Sequence, residues 1–323
     1  MNSYDATELE AIRRQPKPLL HIHLEGSIPQ RALTELATKN RVSLPYGGVS
    51  RLIAASCKRR DWLSFRNIFS ALCSCLCEPS DFTTALLSLR TKLAREAIDY
   101  VEVHCTPWKH LQRGIALDAL GDALTRAAEQ GDGLPETKII FDLTRNILEP
   151  VDEIASWLFG APRKRFVGLG ISGGPDALPR AQFAHVCRRA EQHGLGIVAH
   201  AGELEGADSV EDAVRYLGAH RIVHGASLLD NTGLAAGLAK MGLHLELCPT
   251  ANLRLGVGDS HGLHLRRLLD HGFNVSVNTD DEFIFDTSLM KEISYLVSSG
   301  LFEIAQISTC IASARRAAFC THL

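Results

Sequence analysis

The chain has 323 residues, enough for two average domains or one large barrel. Apolar residues make up 46 %, charged residues 22 %, and the net charge is −3, a balance that excludes a chain built to grip nucleic acid or an anionic membrane surface. No apolar run reaches the roughly 20 residues of a membrane span. The polar start MNSYDATELEAIRRQPKP lacks a signal-peptide core, and nine irregularly spaced cysteines suit a reducing compartment. A cytoplasmic enzyme is expected.

The first predicted strand is HIHLEG (21–26). About 75 residues separate it from the next, so residues 28–98 are expected to form a helical insertion acting as a lid. Within it, WLSFRNIFSALCSCLC reads as one helix, with Cys73 and Cys77 on a shared face as packing residues. Trp62, Phe65 and Phe69 are candidate pocket walls, although ordinary helix packing is the simpler reading of any one of them. Lys58, Arg59 and Arg60 lie in the same connection and are candidate phosphate contacts.

The remaining strands are YVEVHC (100–105), KIIFDL (138–143), FVGLGI (166–171), GIVAHA (196–201), RIVHGA (221–226), LHLELC (243–248) and FNVSVN (273–278). Each is short and rich in Val, Ile and Leu, as a parallel strand buried on both faces should be. Helical spacing fills the gaps. SVEDAVRYLG carries Ser209 and Asp212 as a predicted capping box, and HGLHLRRLLDHG puts leucines 263, 265, 268 and 269 on one face. Arg163, Lys164 and Arg165 precede the fourth strand, so they belong at the opposite end of the barrel from a site. Eight strands alternating with helices, and no linker, predict a single (β/α)8 TIM barrel domain over residues 1–323.

Polar residues stand where buried strands should end in apolar or turn residues. His21 and His23 alternate on the first strand; His200 and Glu203 close the fifth in HAGE; His224 closes the sixth; Asp280 and Asp281 follow the eighth in NTDD. Three imidazoles and a carboxylate with an open position suit catalytic zinc, which lowers the pKa of a bound water from 15.7 to about 7. Glu203 is then available to move protons and His224 to hold the nucleophile. His104 near the end of the second strand is a possible pocket residue. Asp142 and Arg145 read as a structural ion pair, and Cys248, Pro249 and Asn252 read as loop-shaping residues.

HIHLEGS, HAGE, RIVHG, LCPTAN and SVNTDD, in this order, resemble the adenosine deaminase family of the amidohydrolase superfamily over residues 17–319. The resemblance implies that His21, His23, His200 and Asp280 bind one zinc ion. It implies that Glu203 protonates the ring nitrogen beside the reacting carbon, and that His224 and Asp280 orient the nucleophile. It places Glu25, His23, Gly173 and Asp281 against the substrate, a small amino-heterocycle. The implied activity is hydrolytic deamination of a 6-aminopurine, adenosine or a relative of it. Adenine, aminofutalosine, a pterin or an N6-modified nucleotide are alternatives, and an inactive binding protein is a further one.

Several positions depart from the pattern of adenosine-specific members. Glu25 replaces an aspartate, Gly173 is followed by Gly174 and Pro175 in place of an acidic pair, His104 stands where arginine is common, and DDE with Glu282 replaces DDP. Glu25 is expected to reach into the pocket and repel a phosphate, so a neutral substrate is expected to outrun a monophosphate.

Overall fold

The computed structural model describes residues 3–56, 61–160, 164–259 and 261–320. Lys58, Arg59, Arg60 and Arg163 therefore lie outside the described residues. Eight strands, β1 (Lys17–His23), β2 (Ile98–Cys105), β3 (Glu136–Thr144), β4 (Phe166–Ser172), β5 (Gly196–Ala201), β6 (Arg221–His224), β7 (His244–Leu247) and β8 (Asn274–Val277), pair in parallel in that order. Every residue of β1, β6 and β7 is buried, because helices cover one face and the barrel interior covers the other. The fold is the expected (β/α)8 barrel.

Closure falls between β8 and β1. His23 N–H donates to Asp280 O at 2.9 Å, and Ile22 bridges Asp280. One turn further down, Asn278 Oδ1 accepts the N–H groups of Leu20 and His21 at 3.0 and 3.1 Å. A side-chain amide thus extends the short backbone ladder and fixes the height of the HIH segment against the segment carrying Asp280.

The N-terminal half of the barrel interior is charged. Arg221 of β6 bridges Glu102 of β2 and Glu246 of β7, and all three are buried. Tyr100 donates to Glu102, and Phe319 lies over the guanidinium at 3.7 Å. Phe319 fits beneath β5 only because residue 196 is glycine: a Cβ there would lie 2.3 Å from the ring.

Between β1 and β2 run four helices, Gln30–Lys39, Val49–Ser56, Trp62–Cys73 and Pro79–Ala94. The third is started by Asp61, whose side chain accepts the Ser64 N–H at 2.7 Å. It stops at Cys73, short of the predicted Cys77, and leaves Cys73 and Cys75 buried with Cys77 exposed. Asp81 takes the N–H groups of Cys77 and Glu78 in a capping box that starts the next helix. The predicted Ser209–Asp212 capping box does not form. Ser209 Oγ instead accepts the Gly202 N–H and donates to Gly206 O, tying the HAGE loop to the helix Asp208–Leu217. On the helix Leu263–Asp270, Leu265 and Leu268 are buried while Leu263 is exposed. Among the described residues no helix is long and apolar enough to cross a membrane.

Candidate active site

His21 and His23 are two residues apart on a strand, so both rings leave β1 on the side of the barrel interior. There they meet His200 from β5 and Asp280 from the turn after β8. His23 Nε2 lies 3.4 Å from His200 Nε2 and 3.4 Å from Asp280 Oδ1, and His21 Nε2 lies 3.6 Å from the same oxygen. One donor atom from each of the four falls within 4.8 Å of the others. A tetrahedral ion with bonds of about 2.0–2.1 Å holds its ligands roughly 3.3 Å apart, and three nitrogens with one oxygen are a zinc-type set. His21 Nε2 is also buried with no hydrogen-bond partner. The residues fit a metal.

Behind the four stands a layer drawn from three other strands. Asp142 of β3 lies 3.2 Å from His23 Nδ1 and 2.9 Å from His104 Nδ1, while His104 Nε2 lies 3.2 Å from His21 Nδ1. Glu246, held by Arg221, is 3.4 Å from the same His21 nitrogen. Partners on the far ring nitrogens fix the rotation of ligating imidazoles. Asp142 is therefore not the partner of Arg145, which pairs with Glu205 at 2.9 Å, and His104 supports the ligands rather than lining the cavity. Burial alone would raise Asp142, but the neighbouring His104 and His23 outweigh it and hold the carboxylate well below its usual range.

Glu203 and His224 face one another beside this set, with His224 Nε2 3.6 Å from Glu203 Oε1 and 3.9 Å from Asp280 Oδ2. Burial, with help from Asp280 and against the pull of His224, pushes the Glu203 carboxyl up. His224 and Asp280 both have left-handed backbone, φ +69° and +62°. That conformation is costly for residues with a Cβ and turns both side chains across the mouth of the barrel.

Asp281 is buried, and neither of its oxygens accepts a hydrogen bond from the described residues. Burial and the adjacent Asp280 push its pKa well up, whereas Asp280, surrounded by imidazoles, is held low despite burial. The two neighbouring carboxyls are thereby driven apart, Asp281 upwards and Asp280 downwards. The HLEGS segment wraps the second: Ser27 Oγ accepts the Glu282 N–H at 2.9 Å, and Glu282 pairs with Lys92.

A cavity of about 440 Å³ opens above these groups. His23, His200, Glu203, His224, Asp280, Asp281 and Gly173 all line it. So do Trp62, Phe65 and Phe69, spaced three and four apart on the lid helix, so all three are pocket walls. Phe65 stacks on Phe285 at 5.7 Å and ties the lid to the segment after Asp281. Trp62 crosses to the end of β4, where a Cβ on Gly174 would lie 2.4 Å from its indole nitrogen. Arg66 and Lys109 also line the cavity, and no motif or spacing in the chain singles them out.

Glu25 is the correction. It opens a single 3-10 turn, Glu25–Ser27, that carries its side chain away from the cavity. Fully buried, it accepts the Thr106 N–H at 2.8 Å and lies 3.0 Å from His110 Nε2. It braces the end of β2 and offers no charge to a substrate.

The family model for adenosine deaminase matches residues 16–322. An adenine deaminase from Cupriavidus taiwanensis is 34 % identical over 287 residues, 87 % of this chain and 81 % of the relative. The crystal structure of an adenine deaminase from Arthrobacter aurescens superposes with a TM-score of 0.86 at 26 % identity, covering 95 % of this chain and 94 % of that one. An amidohydrolase from Burkholderia ambifaria with bound Zn shares the fold, with a TM-score of 0.88 at 21 % identity over 100 % and 90 % of the two chains. This chain belongs to the adenosine deaminase family.

Proposed function

We propose that this protein is a zinc-dependent hydrolase that converts adenine, or a close 6-aminopurine relative, and water to the 6-oxo purine and ammonia. The observation that carries the reading is the set of four metal-type donors at ligand spacing beside two carboxyls, the nearly buried Glu203 and the buried Asp281, that pair with no lysine or arginine among the described residues. Adenosine, which the motifs suggest first, gives way to adenine because the relatives with the highest identity above are named adenine deaminase.

His21, His23, His200 and Asp280 would hold the ion. When bound, zinc supplies Lewis-acid chemistry that brings the pKa of a water towards neutrality. Glu203, with its raised pKa, gives a proton to the ring nitrogen beside C6 and makes that carbon electrophilic. His224 holds the attacking oxygen through Nε2. Asp281, whose carboxyl burial and Asp280 push up, donates to a nitrogen of the imidazole ring and sets the purine's orientation. A C–O bond forms at C6, the C–N bond breaks, and a proton passed on through Glu203 lets the amine leave as ammonia.

One observation favours a second reading, a purine with an anionic substituent. Arg66 and Lys109 line the rim without an acidic partner among the described residues, and Glu25 does not oppose a phosphate there. Ammonia release from adenine, adenosine, adenosine monophosphate, its N6-methyl form, aminofutalosine and an aminopterin separates the two. Adenine should give the highest kcat/KM, and a neutral substrate should lead any monophosphate. A monophosphate ahead by more than about tenfold would establish the second reading. Turnover of none of them would reject both.

A further inference from the structure

His224 has a second nitrogen, and it begins a chain of hydrogen bonds that leads out of the site. His224 Nδ1 lies 2.8 Å from Asn252 Oδ1; Asn252 Nδ2 lies 3.2 Å from His264 Nε2; His264 Nδ1 lies 3.1 Å from Asp259 Oδ2. Three side chains of the four, His224, Asn252 and His264, are buried, while Asp259 is 39 % exposed. The loop before the helix Leu263–Asp270 is built around the His264 ring. Gly258 sits at φ +72°, and a Cβ there would lie 2.6 Å from the imidazole.

The direction of each bond follows from the only member that cannot donate. Asp259 is an anion: burial would raise its pKa, but three backbone N–H groups and His264 bring it down to about 2. A carboxylate only accepts, so His264 Nδ1 must carry its proton towards Asp259. Burial outweighs Asp259 and lowers the pKa of His264, which leaves the ring neutral with a lone pair on Nε2. That lone pair requires the NH2 end of Asn252, and the amide then presents its carbonyl oxygen to His224. A carbonyl facing Nδ1 requires a proton there. The other nitrogen, Nε2, is buried with no hydrogen-bond partner and points at Glu203 and Asp280.

We infer that Asp259, His264 and Asn252 are positioning residues that fix the Asn252 amide and thereby hold a proton on Nδ1 of His224, aiming its Nε2 at the reacting centre. An amide free to turn over would present NH2 to Nδ1, favour the opposite tautomer and turn Nε2 into a donor in the neutral ring. The catalytic part of this inference rests on the deaminase reading; the part about His224's proton does not.

Asp259 also accepts the N–H groups of Leu263 and His264, so loss of it or of His264 could weaken the helix start alone. The test is therefore a rescue, read on zinc-loaded protein with the aminopurine turned over fastest in the screen above. His264→Leu should lower kcat about tenfold with KM within about threefold and zinc content unchanged, the scale of a lost supporting contact. Adding Asn252→Asp should bring kcat back to within about threefold of wild type, because a carboxylate accepts with either oxygen and needs no neighbour to orient it. Asp259→Ala, at a half-exposed position, should behave in the same direction and be rescued in the same way. In histidine-15N-labelled protein, His224 Nδ1 should be protonated in the wild type, lose that state in His264→Leu, and regain it in the double variant. An unchanged tautomer in both single variants, or a double variant no faster than His264→Leu, would overturn the inference. If no aminopurine is turned over, the deaminase reading fails while the tautomer measurement still decides the role of the chain.

Discussion

The carboxyl of Asp281 occupies the space a side chain on Gly26 would need: a Cβ at residue 26 would lie 1.6 Å from Asp281 Oδ1. The glycine of HLEGS is therefore a seat for the second aspartate of NTDD. Gly26→Ala must push that carboxyl aside. It should lower kcat/KM about a hundredfold with zinc retained, the order that a 1 Å misplacement costs. Steady-state kinetics alongside metal analysis check this, and unaltered kinetics would remove Asp281 from the substrate's contacts.

Purification without chelators should yield about one zinc per chain. His21→Ala and Asp280→Ala should each lose it, since each removes one of the four donors that fall within 4.8 Å of one another. Emission spectrometry on the purified variants gives the answer. Full zinc occupancy in either variant, or active enzyme without metal, would contradict the site.

Glu203→Gln keeps the size of the side chain and loses its proton. Zinc should stay, and kcat should drop by at least about a hundredfold, the lower end of general acid–base catalysis. His224→Ala should act mainly on kcat, whereas Asp281→Ala should alter KM as well. Near wild-type turnover of Glu203→Gln with zinc present would give the proton transfers to another group.

Two buried carboxyls outside the reacting set make stability depend on pH. Burial raises Glu149 to about 8, against its hydrogen bonds from Thr144, and raises Glu292 to about 7, against those from Thr287 and Thr250. Between the ordinary carboxyl value and these raised values the folded chain holds protons that the unfolded chain has lost. Unfolding free energy must therefore fall as pH rises through that window. Tm should decline from pH 5 to pH 8, and Glu149→Gln with Glu292→Gln should flatten the decline. A decline of the same slope in the double variant would assign it to other groups.

Arg221 separates two buried carboxylates, Glu102 and Glu246, at the bottom of the barrel. Arg221→Ala strands both and should cost about 3–5 kcal/mol, the usual penalty for breaking a buried pair from one side. Urea denaturation measures it. A loss under about 1 kcal/mol would mean that water or protonation relieves the two acids.

Periodicity and residue type by themselves determined the eight strands and the metal-type donors, because both depend on short-range pattern: apolar runs bounded by turns, and histidines two apart on a strand. The same pattern named Glu203, His224 and Asp281, which stand at strand ends where a buried strand has no use for them. Only tertiary structure decided what lies behind those residues. Asp142, His104 and Glu246 come from three different strands, and nothing local in FDLTR, YVEVHC or LHLELC shows that they converge on His21 and His23. Glu25 was misplaced for the same reason. His23, two residues earlier, lines the cavity, but a single 3-10 turn sends Glu25 to His110, 85 residues away along the chain. Asn252 and His264 look like a loop residue and a helix residue until the fold sets them 3.2 Å apart. A side chain's type is written locally; its partner is chosen by chain crossings that no local period encodes.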